Sequence, residues 1–242
     1  MTKVVILGGT KGLGFELAKV AMERGCSSNI YGRSSSESNE TNKLNEASFY
    51  PLDLCDEEGV QNLKFNHPPV QYLFWIAGAF LKNKLVDTSP DVIDNMIRLH
   101  YSSPIKFIIK FIKNQGNQPF HLLTVASCSS WRLREDEAIY CSLKSAQATF
   151  TRNLAVELAR DLPSSKVTLV NPGGLQTQNF WKDVEQDTSE FLDPYKVASI
   201  IWDLIQNQKI TFQEVQILRK KPVTIGSEPI IEFGPKIPEV MC

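Results

Sequence analysis

Short apolar runs rich in β-branched and aromatic residues alternate with longer stretches of helical periodicity along most of this chain, and few architectures accept that alternation. Strands are expected at residues 3–7, 27–31, 47–52, 70–76, 120–125, 166–170 and 215–218, and helices at 12–24, 56–65, 90–113, 137–160 and 194–208. Strands that read as continuous apolar runs, each followed by a helix, imply a parallel sheet covered on both faces. The expected fold is therefore α/β: a single doubly wound domain with a mostly parallel seven-stranded sheet and helices on both faces. With 242 residues, of which 42% are hydrophobic, the chain has enough apolar surface for one large core. Residues 34–45 are rich in Ser and Asn, so the crossover helix there is expected to be short or replaced by a loop. Residues 1–221 are expected to form the domain. Residues 222–242, with four prolines and two glycines, are expected to be a C-terminal extension that packs on a neighbour or closes over the site.

Charge and hydropathy exclude several classes of function. Lys and Arg number 26 against 27 Asp and Glu, a net charge of −1, which offers no positive field for nucleic acid or an anionic membrane. The longest apolar or glycine run, residues 72–81, is about half of the roughly 20 residues that a spanning helix needs. Lys106, Lys110 and Lys113 form a stripe like that of a membrane-surface helix, but its place in the α/β alternation puts the apolar face on the sheet and the lysines in water. Only four apolar residues follow Lys3 before glycines begin, too few for a secretory core, so a cytoplasmic location is expected. Cys26, Cys55, Cys128, Cys141 and Cys242 are odd in number and contain no CxxC pair, which fits reduced thiols and no metal site.

Directly after the first expected strand comes Gly8-Gly9-Thr10-Lys11-Gly12-Leu13-Gly14, followed by a helix. In that context glycines permit the turn and let the backbone approach a pyrophosphate, while the helix N-terminus offers N–H groups to an anion. The fold is then of Rossmann type. About 20 residues past these glycines, an NAD site carries an acid for the ribose 2′-hydroxyl. This chain has Gly32-Arg33-Ser34 there and no acid from Cys26 to Ser36. Arg33, Lys11 and Ser34 suit a 2′-phosphate, so the expected cofactor is NADP(H).

Tyr140 and Lys144 lie four residues apart and share one helix face. A nearby ammonium favours the phenolate, which would make Tyr140 a proton donor and acceptor close to neutrality. Ser127 stands 13 residues upstream at the end of an expected strand, the side on which doubly wound sheets bind ligands, so its hydroxyl is placed to hold a substrate oxygen.

Together these residues resemble the short-chain dehydrogenase/reductase family over about residues 3–218. Gly8, Gly12 and Gly14 resemble its cofactor loop, and Ser127, Tyr140 and Lys144 its catalytic set. Asn171-Pro172-Gly173 with Thr177 resembles its nicotinamide-side signature, Asp53-Leu54 its adenine contact, and Ala77-Gly78 the motif ending its fourth strand. The resemblance implies that Tyr140 is the general acid/base, that Lys144 lowers its pKa and binds the nicotinamide ribose, and that Ser127 positions the carbonyl. It also implies a homodimer or homotetramer. Two positions depart from the pattern: Trp75-Ile76 precede Ala77 where an asparagine is usual, and His100 takes the place of the asparagine that anchors a relay water. His100 would orient that water or pass the proton itself; the alternative is a buried, hydrogen-bonded histidine left behind when the relay was lost.

On the substrate side, residues 129–134, 174–176 and 180–182 bring Trp131, Arg132, Arg134, Phe180 and Trp181, which point to a flat or acidic substrate. The sequence thus reads as an NADP(H)-dependent carbonyl reductase or alcohol dehydrogenase acting on a small molecule. A catalytically impaired nicotinamide sensor on the same fold is the alternative.

Overall fold

Val4, Val5, Ile6 and Leu7 are all essentially without exposure, yet they serve two different cores. Val4 and Ile6 face one layer, with Leu17, Ala21, Ile201 and Trp202, while Val5 and Leu7 face the other, with Phe107, Ile108, Phe111 and Leu154. The two-residue period of a strand sends alternate side chains to opposite faces, which is why this run is apolar without interruption. Each such buried side chain contributes about 1.5–3 kcal/mol.

The computed structural model describes residues 2–33, 44–45, 47–177, 180–220 and 228–236. In chain order the elements are β1 (Thr2–Leu7), α1 (Gly12–Glu23), β2 (Cys26–Gly32), β3 (Ala47–Pro51), α2 (Glu57–Asn62), β4 (Tyr72–Trp75), α3 (Pro90–Ile97), α4 (Ser103–Gln115), β5 (His121–Val125), α5 (Ala138–Asp161), β6 (Lys166–Pro172), α6 (Pro194–Asn207), β7 (Phe212–Leu218) and β8 (Ile230–Phe233). One sheet has the strand order β3-β2-β1-β4-β5-β6-β7-β8, parallel except for β8. The order reverses between β1 and β4, where Val4 pairs with Tyr72 and Leu7 with Trp75, and ligands of open α/β sheets bind beyond such a switch point.

Three features differ from the expectation. The helix expected over residues 90–113 is two helices, α3 and α4, joined by a π-helical turn over Arg98–Ser102. Pro104 explains the break: it has no N–H to give the carbonyl of His100, so the α ladder widens there. The sheet has eight strands, because residues of the expected extension return antiparallel along β7, with Val215 opposite Phe233 and Leu218 opposite Ile230. Helix α2 stops at Asn62, short of residue 65.

Most of the expected Ser- and Asn-rich loop, including Ser34, lies outside the described residues. Lysines of α4 reach α2 and not open solvent alone, since Lys106 pairs with Glu57 and Lys110 donates to the Gln61 carbonyl at 2.8 Å. Among the described residues no helix is long and apolar enough to cross a membrane, no group of His, Cys, Asp and Glu could hold a metal, and Cys26, Cys55, Cys128 and Cys141 are free thiols.

Candidate active site

Beyond the carboxyl end of β1 the chain turns at Gly8 with φ +93°, and a Cβ there would stand 2.5 Å from the Ala77 backbone. A Cβ on Gly14 would lie 2.1 Å from the Gly8 carbonyl oxygen, so the loop and the first turn of α1 are in backbone contact. Helix α1 starts with no side-chain cap and no acid in its first turn. Its first N–H groups are therefore left for an anion. They open onto a cavity of about 570 Å³.

Gly8, Thr10, Lys11, Gly12, Leu13 and Gly14 form one end of its wall, together with Gly32 and Arg33. Among the described residues the acids on the wall are Glu137 and Asp183, both from the segments that flank the opposite end. Among the described residues this end offers uncapped helix N–H groups, two cations and no carboxylate, a donor set that fits the phosphates of a dinucleotide. Leu54 and Ala77 line the middle, and Pro172, Gly173 and Thr177 line the side formed by β6 and the loop after it. Asp53 itself is not on the wall; its carboxylate accepts from the Cys55 amide at 2.9 Å, while Leu52 and Leu54 on either side face the cavity.

Ser127, Tyr140 and Lys144 converge at the far end. Ser127 follows β5 in an extended conformation and its hydroxyl accepts from the Ser129 amide at 3.0 Å. Tyr140 comes from the first turn of α5, is buried, and lines the cavity with Ser127. Lys144 follows one turn later, its Nζ donating to Gln147 Oε1 at 3.0 Å and to the Val125 carbonyl at 3.4 Å. It sits 5.9 Å from the centroid of the Tyr140 ring. Burial is the largest influence on the acidity of both groups. Burial pushes the Tyr140 phenol up from its ordinary value, opposed by the Ser127 hydroxyl, and it pushes Lys144 down to about 7. Desolvation disfavours the charged form of each, which sets both directions.

A family model described as short chain dehydrogenase matches residues 2–188. The chain belongs to the short-chain dehydrogenase family. An uncharacterized oxidoreductase of Staphylococcus aureus strain MW2 is 26% identical over 222 residues, covering 88% of this chain and 95% of the relative. A short-chain dehydrogenase/reductase from Vibrio parahaemolyticus superposes with a TM-score of 0.77 at 26% identity, covering 90% of this chain and 99% of the other. An alcohol dehydrogenase from Thermococcus sibiricus, solved with 5-hydroxy-NADP, has the same fold with a TM-score of 0.77 at 19% identity, covering 90% of this chain and 96% of its own.

Against the usual pattern of a short-chain dehydrogenase, His100 lies behind the cavity wall and not on it. The ring is fully buried in the π-helical turn, with Nε2 2.9 Å from the Ala79 carbonyl oxygen and 3.0 Å from the Ala79 amide nitrogen. One tautomer donates to the carbonyl and the other accepts from the amide. Gly78 separates the ring from the lysine, and a Cβ on it would meet His100 Cε1 at 2.9 Å and Lys144 Nζ at 3.5 Å. Burial, with Lys144 nearby, holds the imidazole down to about 3, so it is neutral at physiological pH. A ring buried and bonded to the Ala79 backbone has the geometry of the alternative weighed for His100, a buried, hydrogen-bonded histidine. Trp75, in place of the usual asparagine, is fully buried and packs edge-on against Phe150 at 6.1 Å.

Two sets of residues in this short-chain dehydrogenase are only partly visible to sequence reasoning. Asn171 turns its side chain away from the cavity, donating to Glu214 Oε1 at 2.9 Å and accepting from the Ser130 hydroxyl at 3.4 Å. Glu214 takes a bidentate bond from Arg152, both contacts at 2.8 Å, and Gln216 beside it accepts from the Trp131 indole at 3.0 Å. The loop after Ser127 is thereby tied to β6, β7 and α5. The second set is a group of rings over Tyr140: Phe80, Phe180, Trp181 and Phe191. Phe80 and Phe191 carried no local signal, being lone aromatics in loops.

Proposed function

We propose that this short-chain dehydrogenase is an NADP(H)-dependent carbonyl reductase or alcohol dehydrogenase in which Tyr140 is the general acid/base. The observation that carries the reading is the convergence of Ser127, Tyr140 and, one turn on, Lys144 on the wall of a cavity that begins at an uncapped helix N-terminus. The nicotinamide supplies or receives the hydride when bound. Tyr140 protonates the carbonyl oxygen as it becomes an alcohol, and Ser127 donates to the same oxygen to hold it in place. Lys144, one turn on and 5.9 Å from the centre of the Tyr140 ring, would bind the nicotinamide ribose and support the phenol's proton transfer. His100 holds its place behind Gly78 as a neutral ring. Lys11 and Arg33 favour the 2′-phosphate, which agrees with the 5-hydroxy-NADP found in the Thermococcus sibiricus enzyme.

Titration of NADPH and NADH against wild type and Arg33→Ala tests the cofactor. Loss of a charge-assisted contact is expected to weaken NADPH about 10- to 100-fold and leave NADH unchanged. Equal affinities in wild type overturn the preference. Tyr140→Phe is expected to lose about 10²–10⁴-fold in turnover while still binding NADPH. Turnover that survives in Tyr140→Phe overturns the acid/base assignment, and NADPH binding with no turnover of any ketone or aldehyde favours the sensor.

A further inference from the structure

The groups closest to the Tyr140 ring on the substrate side are other rings. Phe80 stands edge-on to it at 5.1 Å between centroids, and Phe180 lies at 6.3 Å. Trp181 touches Phe80 at 4.7 Å, Phe180 at 5.0 Å and Phe191 at 5.1 Å. None of these pairs is stacked face to face; the smallest interplanar angle among them is 33°, between Phe80 and Phe180. Phe80, Phe180, Trp181 and Phe191 all line the cavity, so each turns part of its ring toward the space where a substrate would lie.

The cage is built into the fold. The Trp181 indole N–H donates to the Leu175 carbonyl at 2.8 Å, and the segment carrying Phe191 is clamped by Gln176 N to Leu192 O and Leu192 N to Gly174 O, both at 2.9 Å. A Cβ on Gly174 would meet the Phe191 ring at 2.7 Å, so that glycine makes room for the ring.

Several cations at this end have acidic or aromatic neighbours. Lys182 pairs with Asp183 and Arg219 with Glu190, each at 3.8 Å, and Arg219 also covers the Phe191 face at 4.9 Å. Arg132 lies over Trp131 at 4.7 Å, and Arg134 is close enough to Glu137 to oppose the effect of burial on its carboxyl. A substrate carboxylate would have to displace these partners, whereas a flat neutral ring finds its contacts waiting. Of the two substrate types the sequence left open, the site is made for the flat one.

We infer that the substrate is a neutral carbonyl compound carried on an aromatic ring, an aryl ketone or aryl aldehyde, with that ring held by Phe80, Phe180 and Trp181. The inference rests on the proposed carbonyl chemistry, and it is tested by a matched trio: acetophenone, cyclohexyl methyl ketone and 4-acetylbenzoate. Binding is read with the NADP⁺ complex, where no turnover occurs, from quenching of tryptophan fluorescence, and kcat/KM is read separately with NADPH. Acetophenone is expected to bind about tenfold more tightly than its cyclohexyl counterpart in wild type, from two to three ring contacts. The ratio is expected to fall toward one in both Phe80→Leu and Trp181→Leu. Reading the change in a ratio cancels the intrinsic reactivity of each ketone, and NADPH binding verifies that each variant is folded. A ratio of one in wild type, a ratio unchanged in both variants, or tighter binding of 4-acetylbenzoate than of acetophenone overturns the inference. An aryl preference in binding with no turnover of any of the three counts against the reductase reading and supports the aromatic site.

Discussion

At the scale of single residues, burial decides the chemistry more than proximity does. Tyr140 and Lys144 are neighbours by helical spacing, and that much is a property of five consecutive residues; the direction in which their acidities move comes from the layers that close over them. His100 follows the same rule, as does His121, which bonds Thr168 at 2.8 Å at the other end of the sheet. Burial, aided by Lys144 and Lys166 respectively, lowers them to about 3 and about 4. An unfolded histidine takes up a proton near 6.5, while these two refuse one until pH 3–4. Between those values the unfolded chain binds more protons, so their contribution is complete above about pH 6.5 and is lost as the solution becomes more acidic. Urea unfolding at pH 7 and pH 5 is expected to show that His100→Gln and His121→Gln each shrink the acid-induced loss by about 1–2 kcal/mol. Acid limbs identical to that of wild type would contradict it.

At the scale of elements, the catalytic loop is held by contacts that span the sheet. Strand β7 presents Glu214, whose side chain is 1% exposed, to Arg152 of α5, which is 35% exposed, and the same carboxylate receives Asn171 of β6. The two partners are not equivalent. Removing Arg152 strands a buried carboxylate, whereas removing the charge of Glu214 leaves a guanidinium that already reaches water. Arg152→Ala is therefore expected to cost about 3–5 kcal/mol and Glu214→Gln less than half of that, as measured by chemical denaturation. Equal costs would show that the pair is not the buried link described. The expected helix over residues 90–113 belongs to this scale too. Its periodicity was legible and its interruption at Pro104 was in principle legible, since proline cannot serve an α ladder, but the π turn that results also depends on His100 docking on the Ala79 backbone.

For the molecule as a whole, β8 closes the sheet at β7 with little burial: Ile230, Ile231 and Phe233 keep 39%, 41% and 67% of their exposure. Its value lies in the backbone pairing and in Gln216, which donates to the Gly234 carbonyl at 3.1 Å while its oxygen holds Trp131. Truncation after Lys220 is expected to cost only about 1–3 kcal/mol, because few apolar side chains return to water. It is also expected to make the chain self-associate through the uncovered edge of β7. Light scattering of the truncated chain reads the second effect; a monodisperse species no larger than the full-length protein would refute it.

The alternation of strands and helices, the glycine loop opening α1, the basic residues where an acid would select NAD, and Tyr140 with Lys144 on one helix face were all determined by the sequence alone. Each is a local pattern in which residues a few positions apart, or a residue at a strand end, suffice to define the geometry. Tertiary structure decided what no local pattern encodes. Glu214 meets Arg152 across 62 positions, β8 returns along β7, Phe80 and Phe180 from separate loops meet Tyr140, and burial is the largest influence on the acidity of both Tyr140 and Lys144. Desolvation and long-range pairing depend on which surfaces are finally covered, and that is settled only when the layers have packed.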